Sequence, residues 1–130
     1  MPLRVEQLVR DFLTADLGVR VCTELPDDLA DVVPLLQVVR IGGPTHDDDP
    51  YFHLPTISVD AYEATRADAN DLAMQADLSL RRRLPGAVVL GCSVGKVRTI
   101  SGPSWRPWDD VALRRFGASY QLWIKAPTTV

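Results

Sequence analysis

Cysteine is scarce in this chain. There are two in 130 residues, Cys22 and Cys92, seventy positions apart. That spacing fits neither a metal knuckle nor a redox pair, so a disulfide scaffold and a zinc ribbon are both excluded. The two read as reduced thiols, at least one of them buried, in a protein made in a reducing cytosol. Long apolar runs are missing too. Nothing approaches the ~20 residues a helix needs to cross a bilayer, and the opening MPLRVEQLVRDFL is amphipathic, without the apolar centre of a secretory signal. We therefore expect a soluble protein with no membrane partner. Basic charge is thin: 14 cations against 17 carboxylates give a net charge of −3. Phosphate backbones need clustered cations, so a dedicated nucleic-acid binder is excluded. Twelve of the cations are Arg and 14 of the carboxylates are Asp. That skew has no folding reason and fits a GC-rich genome. Internal repeats and low-complexity segments are absent.

What is present is the size of one domain, residues 1–130, with an ordered core over 3–125 and a loose tail over 126–130. Such a chain buries roughly two thirds of the surface its unfolded form exposes, enough to fold without staples. Val5, Leu8, Val9, Phe12 and Leu13 recur at helical spacing and predict a first helix over Val5–Leu17, stopped by Gly18. Val19–Cys22 is short and β-prone. TELPDDLADVVP then reads as a loop with room for one helical turn at Asp27–Val32. LLQVVRI, Leu35–Ile41, is a β-branched strand ended by Gly42, Gly43 and Pro44.

The most informative stretch runs from Thr56 to Leu84. TISVDAYEA alternates, with Ile57, Val59 and Ala61 on one face and Ser58, Asp60 and Tyr62 on the other. A long helix follows, capped either by Thr65 with Asp68 or by Asp60 with Glu63. Ala69, Leu72, Ala73, Ala76, Leu80 and Leu84 line its sheet side, and Arg66, Asn70, Asp77 and Arg81 the opposite side. Arg81, Arg82 and Arg83 complement the negative helix end, with Asp77 and Arg81 at ion-pair spacing. Val88–Ile100 is β-prone but broken at Gly91 and Gly95, so it is one bulged strand or two short ones. SGPSWRPWDD, Ser101–Asp110, reads as a turn-rich loop. Leu113–Lys125 is a last strand, with Phe116, Ala118, Tyr120, Leu122 and Ile124 on one face. Elements that cluster rather than alternate indicate an α+β fold: a mostly antiparallel or mixed sheet with two α-helices on one face.

Few segments carry chemistry. Gly91-Cys92-Ser93-Val94-Gly95 matches the G-x-S-x-G nucleophile elbow, but no histidine follows Ser93 and β-prone residues follow where that motif needs a helix. We read it as a glycine-bent strand. His46-Asp47-Asp48-Asp49 with His53 offers imidazoles and carboxylates, the donor set of a metal-assisted enzyme through His46, Asp47, Asp49 and His53. The spacing matches no known metal loop, so we expect no cofactor and no catalytic residue. Trp105 and Trp108 flank Arg106-Pro107. They suit a ligand platform in a small adaptor, a loop locked to the sheet, or a protein interface.

The order of these segments resembles a known family. Leu25–Leu29 (L-P-x-x-L), Arg40–Gly43 (R-I-G-G), an acidic loop and Ile57–Tyr62 (I-S-V-D-A-Y) come first. Ala69–Ala73 (A-x-x-L-A), Gly102–Asp110 (G-P-S-W-R-P-W-D-D), Arg114–Phe116 and Tyr120 follow. The combination, over roughly Leu3–Lys125, is similar to the tail-terminator or tail-completion proteins of long-tailed bacteriophages, particularly those infecting actinobacteria. Head-completion and neck proteins, the stoppers and adaptors of the same region, are the alternative. The resemblance implies a structural virion protein with no catalysis. It implies a homohexameric ring that caps the tail tube and docks on the head connector, with the major tail tube protein and a connector or stopper protein as partners. DNA would pass through the lumen without specific binding. The acidic Asp47, Asp48 and Asp49 suit a lumen that repels DNA, and Trp105, Trp108 and Trp123 suit contacts between subunits.

Overall fold

The computed structural model describes residues 4–43, 52–107 and 112–125. Two helices and six strands run in the order α1 (Val5–Leu17), β1 (Arg20–Cys22), β2 (Leu35–Gly42), β3 (Thr56–Glu63), α2 (Arg66–Leu78), β4 (Val88–Val89), β5 (Cys92–Trp105) and β6 (Arg114–Lys125). The strands form one mixed sheet in the order β1-β2-β3-β6-β5-β4. Only β1 and β2 pair in parallel, because the chain crosses between them through the loop that carries a 3₁₀ turn at Leu29–Asp31. The fold is α+β, with a six-stranded sheet and two helices.

The central pair is β3 with β6, eight residues in unbroken register from Thr56↔Gln121 to Glu63↔Arg114. That register aligns Ile57, Val59 and Ala61 with Tyr120, Ala118 and Phe116 on one face. Leu36 and Val38 of β2 continue it, and both helices pack there. Gly18, left-handed at φ 69°, ends α1 by returning its N–H to the Thr14 carbonyl. The Thr65 hydroxyl accepts from the Asp68 N–H at 3.2 Å, which settles the cap of α2 in favour of Thr65. Both cysteines are free thiols: Cys92 is buried in this core and Cys22 packs at the edge of a second cluster.

Three expectations need correction. The second helix is regular only to Leu78; Ser79–Arg83 form a wider π turn closed by the Leu84 N–H on the Ser79 carbonyl. That turn keeps Leu80 and Leu84 fully buried while Arg81, Arg82 and Arg83 between them stay exposed. Asp77 is not on the solvent side of the helix: it is 4% exposed. Ala69, Ala73 and Asp77 form one i, i+4, i+8 row, and the small alanines let α2 lie so close to the sheet that the end of the row is covered as well. Asp77 is satisfied there by the Tyr120 hydroxyl and by the Arg81 Nε–H, both at 2.7 Å. Burial, then the bond to Asp77, push the Tyr120 phenol up, so it stays protonated and donates. Finally, Ser101–Trp105 is not a loop: β5 runs on through it, paired with β6 as far as Trp105↔Phe116, with irregularities after Val94, Thr99 and Ser101. Backbone pairing to a long neighbour overrides turn-forming Gly102 and Pro103.

Gly91 and Gly95 play different parts. Leu90 (φ 52°) and Gly91 (φ 77°) form a two-residue hairpin turn between β4 and β5, the geometry that twist-matched hairpins require. Gly95 sits at the first irregularity of β5. Strand, turn and strand follow one another here, so Ser93 lies exposed at the start of a strand and no helix follows it.

Asp16 joins the end of α1 to the π turn. Its Oδ2 accepts from Ser79 Oγ at 2.5 Å and from Arg83 Nε at 2.6 Å. The Ser79 bond, then Arg83, hold its carboxyl below the usual value of 3.8. A depressed carboxylate stabilises the fold above the unfolded-state value and loses that contribution as pH falls through the folded one. Asp16→Asn should therefore lower the melting temperature at neutral pH, with the difference from the parent shrinking as pH falls below the usual value of 3.8; a difference that does not change with pH in thermal melts would contradict this.

Candidate assembly surfaces

The sheet face away from the helices would be the solvated side in a simple two-layer fold. Here it is largely covered. Six of the eight residues of β3 are buried, Ser58, Asp60 and Tyr62 among them. At one end Leu29, Leu35, Tyr62 and Leu113 form a small second core. Tyr62 donates to Gln37 Oε1 at 3.2 Å, and burial raises its phenol as well.

The middle of this face is polar. Arg106, the first residue beyond β5, lays its guanidinium across the sheet. Nη1 donates to Asp60 Oδ1 at 2.7 Å and to Ser58 Oγ at 2.8 Å, and Nη2 to Ser119 Oγ at 3.4 Å. Its main-chain N–H bonds the Arg115 carbonyl at 2.9 Å. Arg115 in turn donates to the Arg106 and Pro107 carbonyls. Burial pushes the Asp60 carboxyl up, against the pull of Arg106 and Arg115. Gly117 lies beneath: a Cβ there would collide with Asp60 Oδ1 and with Nη1 and Cδ of Arg106. The arrangement is structural, because Nη1 and Nη2 of the guanidinium are both turned inward to protein acceptors.

Sequence reasoning missed Arg106 and Asp60. One signal was available: an aspartate in the middle of a β-branched run is disfavoured unless something pairs with it.

The aromatic candidates are placed as follows. Trp105 is half-buried on β5, edge-on to Phe116 with centroids 5.5 Å apart, and Arg66 from the first turn of α2 stacks over it at 4.8 Å. Trp123 is half-buried on the other face, opposite Lys96, whose ammonium lies 5.0 Å from its ring centre. The two are not brought together. Trp108, His46, Asp47, Asp48 and Asp49 lie outside the described residues. His53 is exposed and bridges Ile124 through two backbone bonds of 2.7 and 2.9 Å, away from any described cluster of metal-binding type. A cleft of about 410 Å³ opens between the first turn of α1 and β2, lined by Arg4, Glu6, Arg10 and Arg40. Glu6 accepts the outward Arg40 main-chain N–H there at 2.8 Å, which closes the free edge of β2. Among the described residues no helix is long and apolar enough to cross a membrane.

The packing beneath Arg106 makes one substitution diagnostic. Gly117→Ala should cost about 2–4 kcal/mol by displacing a largely buried ion pair, while Gly102→Ala, whose Cβ meets nothing, should be near neutral. Denaturant titration of both variants checks this, and equal losses would contradict it.

Comparison with known proteins follows the same frame. Among solved structures, one chain of the virion of a native gene transfer agent particle shares the fold, with a TM-score of 0.59 and 13% identity, covering 94% of this chain and 95% of that one. Comparison with curated proteins gives no match. The family model described as phage tail termination protein matches residues 2–107, which takes in both helices and the sheet through β5. The chain belongs to the phage tail termination protein family.

Proposed function

We propose that this protein ends tail growth by closing into a sixfold ring on the tip of the tail tube, and that the ring's opposite face receives the head connector. Membership in the tail termination family over residues 2–107 is the observation that carries the reading. The molecule's organisation supports it. Its enclosed carboxylates are spent on holding the fold: Asp77 on Tyr120 and Arg81, Asp60 on Arg106, Asp16 on Ser79 and Arg83. What remains is exposed charge and a few exposed apolar side chains on a stiff frame, the equipment of a protein that works by contact.

The partners of this role are further copies of the chain, the major tail tube protein and a connector or stopper protein. DNA passes through the lumen. We assign Trp105, Trp108 and Trp123 to subunit or partner contacts, and Asp47, Asp48 and Asp49 to the lumen, where acidic charge lets DNA slide without adhering.

Native mass spectrometry of the 14.4 kDa chain, alone and with purified tail tubes, tests the role. A sixfold species, or chains recruited in sixes to tube ends, is expected. Chains that ignore tubes and bind tail-less heads instead would replace this reading with that of a neck protein.

A further inference from the structure

Charge is divided along this chain in a way that folding does not require. Residues 78–100 contain five cations and no carboxylate, in a molecule that is acidic overall. Residues 21–39 contain four carboxylates, Glu24, Asp27, Asp28 and Asp31, and no cation. The fold sends the two segments to opposite corners of the sheet. The acidic segment is the β1–β2 loop, beside the Leu35↔Tyr62 end of the register, and Tyr62 aligns with Arg115 of β6. The basic segment runs into β5, whose Lys96 aligns with Trp123 of β6. Eight residues of β6 separate those two points, roughly 27 Å of extended chain, and β1 lies four strands from β5, roughly 20 Å across. Both separations exceed the screening length at physiological salt, so the two patches do not neutralise each other within one molecule.

The acidic patch is unspent, and on the basic side Lys96 meets only the Trp123 ring, 5.0 Å away. Glu24, Asp27, Asp28 and Asp31 are exposed, and among the described residues none is in an ion pair. Asp28 precedes the 3₁₀ turn without capping it. On the other side Arg81 and Arg83 are paired with Asp77 and Asp16, which leaves Arg82, Lys96 and Arg98 as exposed charge. Apolar side chains sit beside the cations: Val88 is 68% exposed, Leu90 53% and Ile100 55%. Among the described residues, no strand pairs with the outer edge of β5 beyond Ser93. That edge is a poor template for a continuous ladder, because β5 is irregular at three places and carries Pro103. Recognition there runs through side chains.

We propose that the β4–β5 corner of one copy, through Lys96, Arg98 and Arg82 around Leu90 and Ile100, docks on the acidic β1–β2 loop of the next copy, through Asp27, Asp28 and Asp31. This rests on the ring reading and specifies its subunit interface. Two different, complementary patches at opposite corners make a head-to-tail contact, the kind that generates a closed ring when the rotation closes. Each of these charges finds an opposite charge only between molecules.

Charge reversal tests it. Lys96→Glu/Arg98→Glu gives a chain with two acidic corners, and Asp27→Lys/Asp28→Lys/Asp31→Lys one with two basic corners. Each alone should need about tenfold or more higher concentration to assemble, since like charges then face each other. Mixed in equal amounts, the two are complementary at every contact, and native mass spectrometry should show rings of three copies of each. Circular dichroism and thermal melting confirm that both variants fold. Either variant assembling alone as the parent does, or folded variants whose mixture stays unassembled, overturns the interface and leaves the ring reading standing. A parent chain that forms no ring alone or on tubes overturns both.

Discussion

The second face of the sheet depends on one guanidinium. Two helices cover only one side of six strands, and the other side must be covered by something or remain wet. Arg106 does this across the two central strands, with Asp60 and Ser58 from β3 and Ser119 from β6 as acceptors. A charge this enclosed is tolerable only with its donors matched, and the fork geometry of arginine supplies several donors in one plane. The strand beneath has to give way, which is why β6 carries Gly117 at the crossing point. Because Arg106 immediately follows β5, the same contact fixes where that strand ends, and Arg115 secures the following residue. The position of the exposed β5 edge is thus set from the opposite face of the sheet.

The helix face follows a different logic. Alanines bring α2 close to β3 and β6, and close approach buries Asp77 along with them. The protein meets that cost by aiming the Tyr120 hydroxyl at the carboxylate, so one polar pair registers the helix on the central strand. Asp16 then ties α1 to the turn that follows α2. Packing area supplies the stability here; these few polar bonds select one arrangement of it.

Periodicity in the sequence was enough for the elements whose environment is one-sided. The stripe of α1 and the sheet-facing residues of α2 are visible because each faces core on one side and solvent on the other; the alternation of β6 is visible too, although Gly117 and Ser119 on its other face are also buried. Asp77 was not legible: whether a helix row is covered depends on how near the sheet lies, which is a property of two elements together. Ser101–Trp105 was misread for a similar reason. Gly102 and Pro103 favour a turn locally, but fourteen residues of β5 face twelve of β6, and the ladder prevails. The Arg106 cluster joins residues 13 to 61 positions apart, on β3, on β6 and just beyond β5, so no local pattern announces it. Of the interface candidates, the tryptophans were chosen for their type alone. The structure adds what type cannot: Trp105 and Trp123 are half-buried and already stacked with Arg66 and Lys96.

That distinction bears on how such a molecule recognises its neighbours. Aromatic side chains already engaged within the monomer have less to gain from a partner than charges that lack an opposite charge. Exposed like charges in one patch repel, a small penalty in the isolated chain that only a complementary surface relieves. A fold with both patches on one edge would satisfy them internally or present a self-repelling face. Placing them at opposite corners of a stiff sheet makes the isolated subunit incomplete in a directional sense. Directionality is what the proposed ring needs, because a contact that equals its own inverse pairs two subunits and stops, whereas a head-to-tail contact continues around a circle until it meets its start.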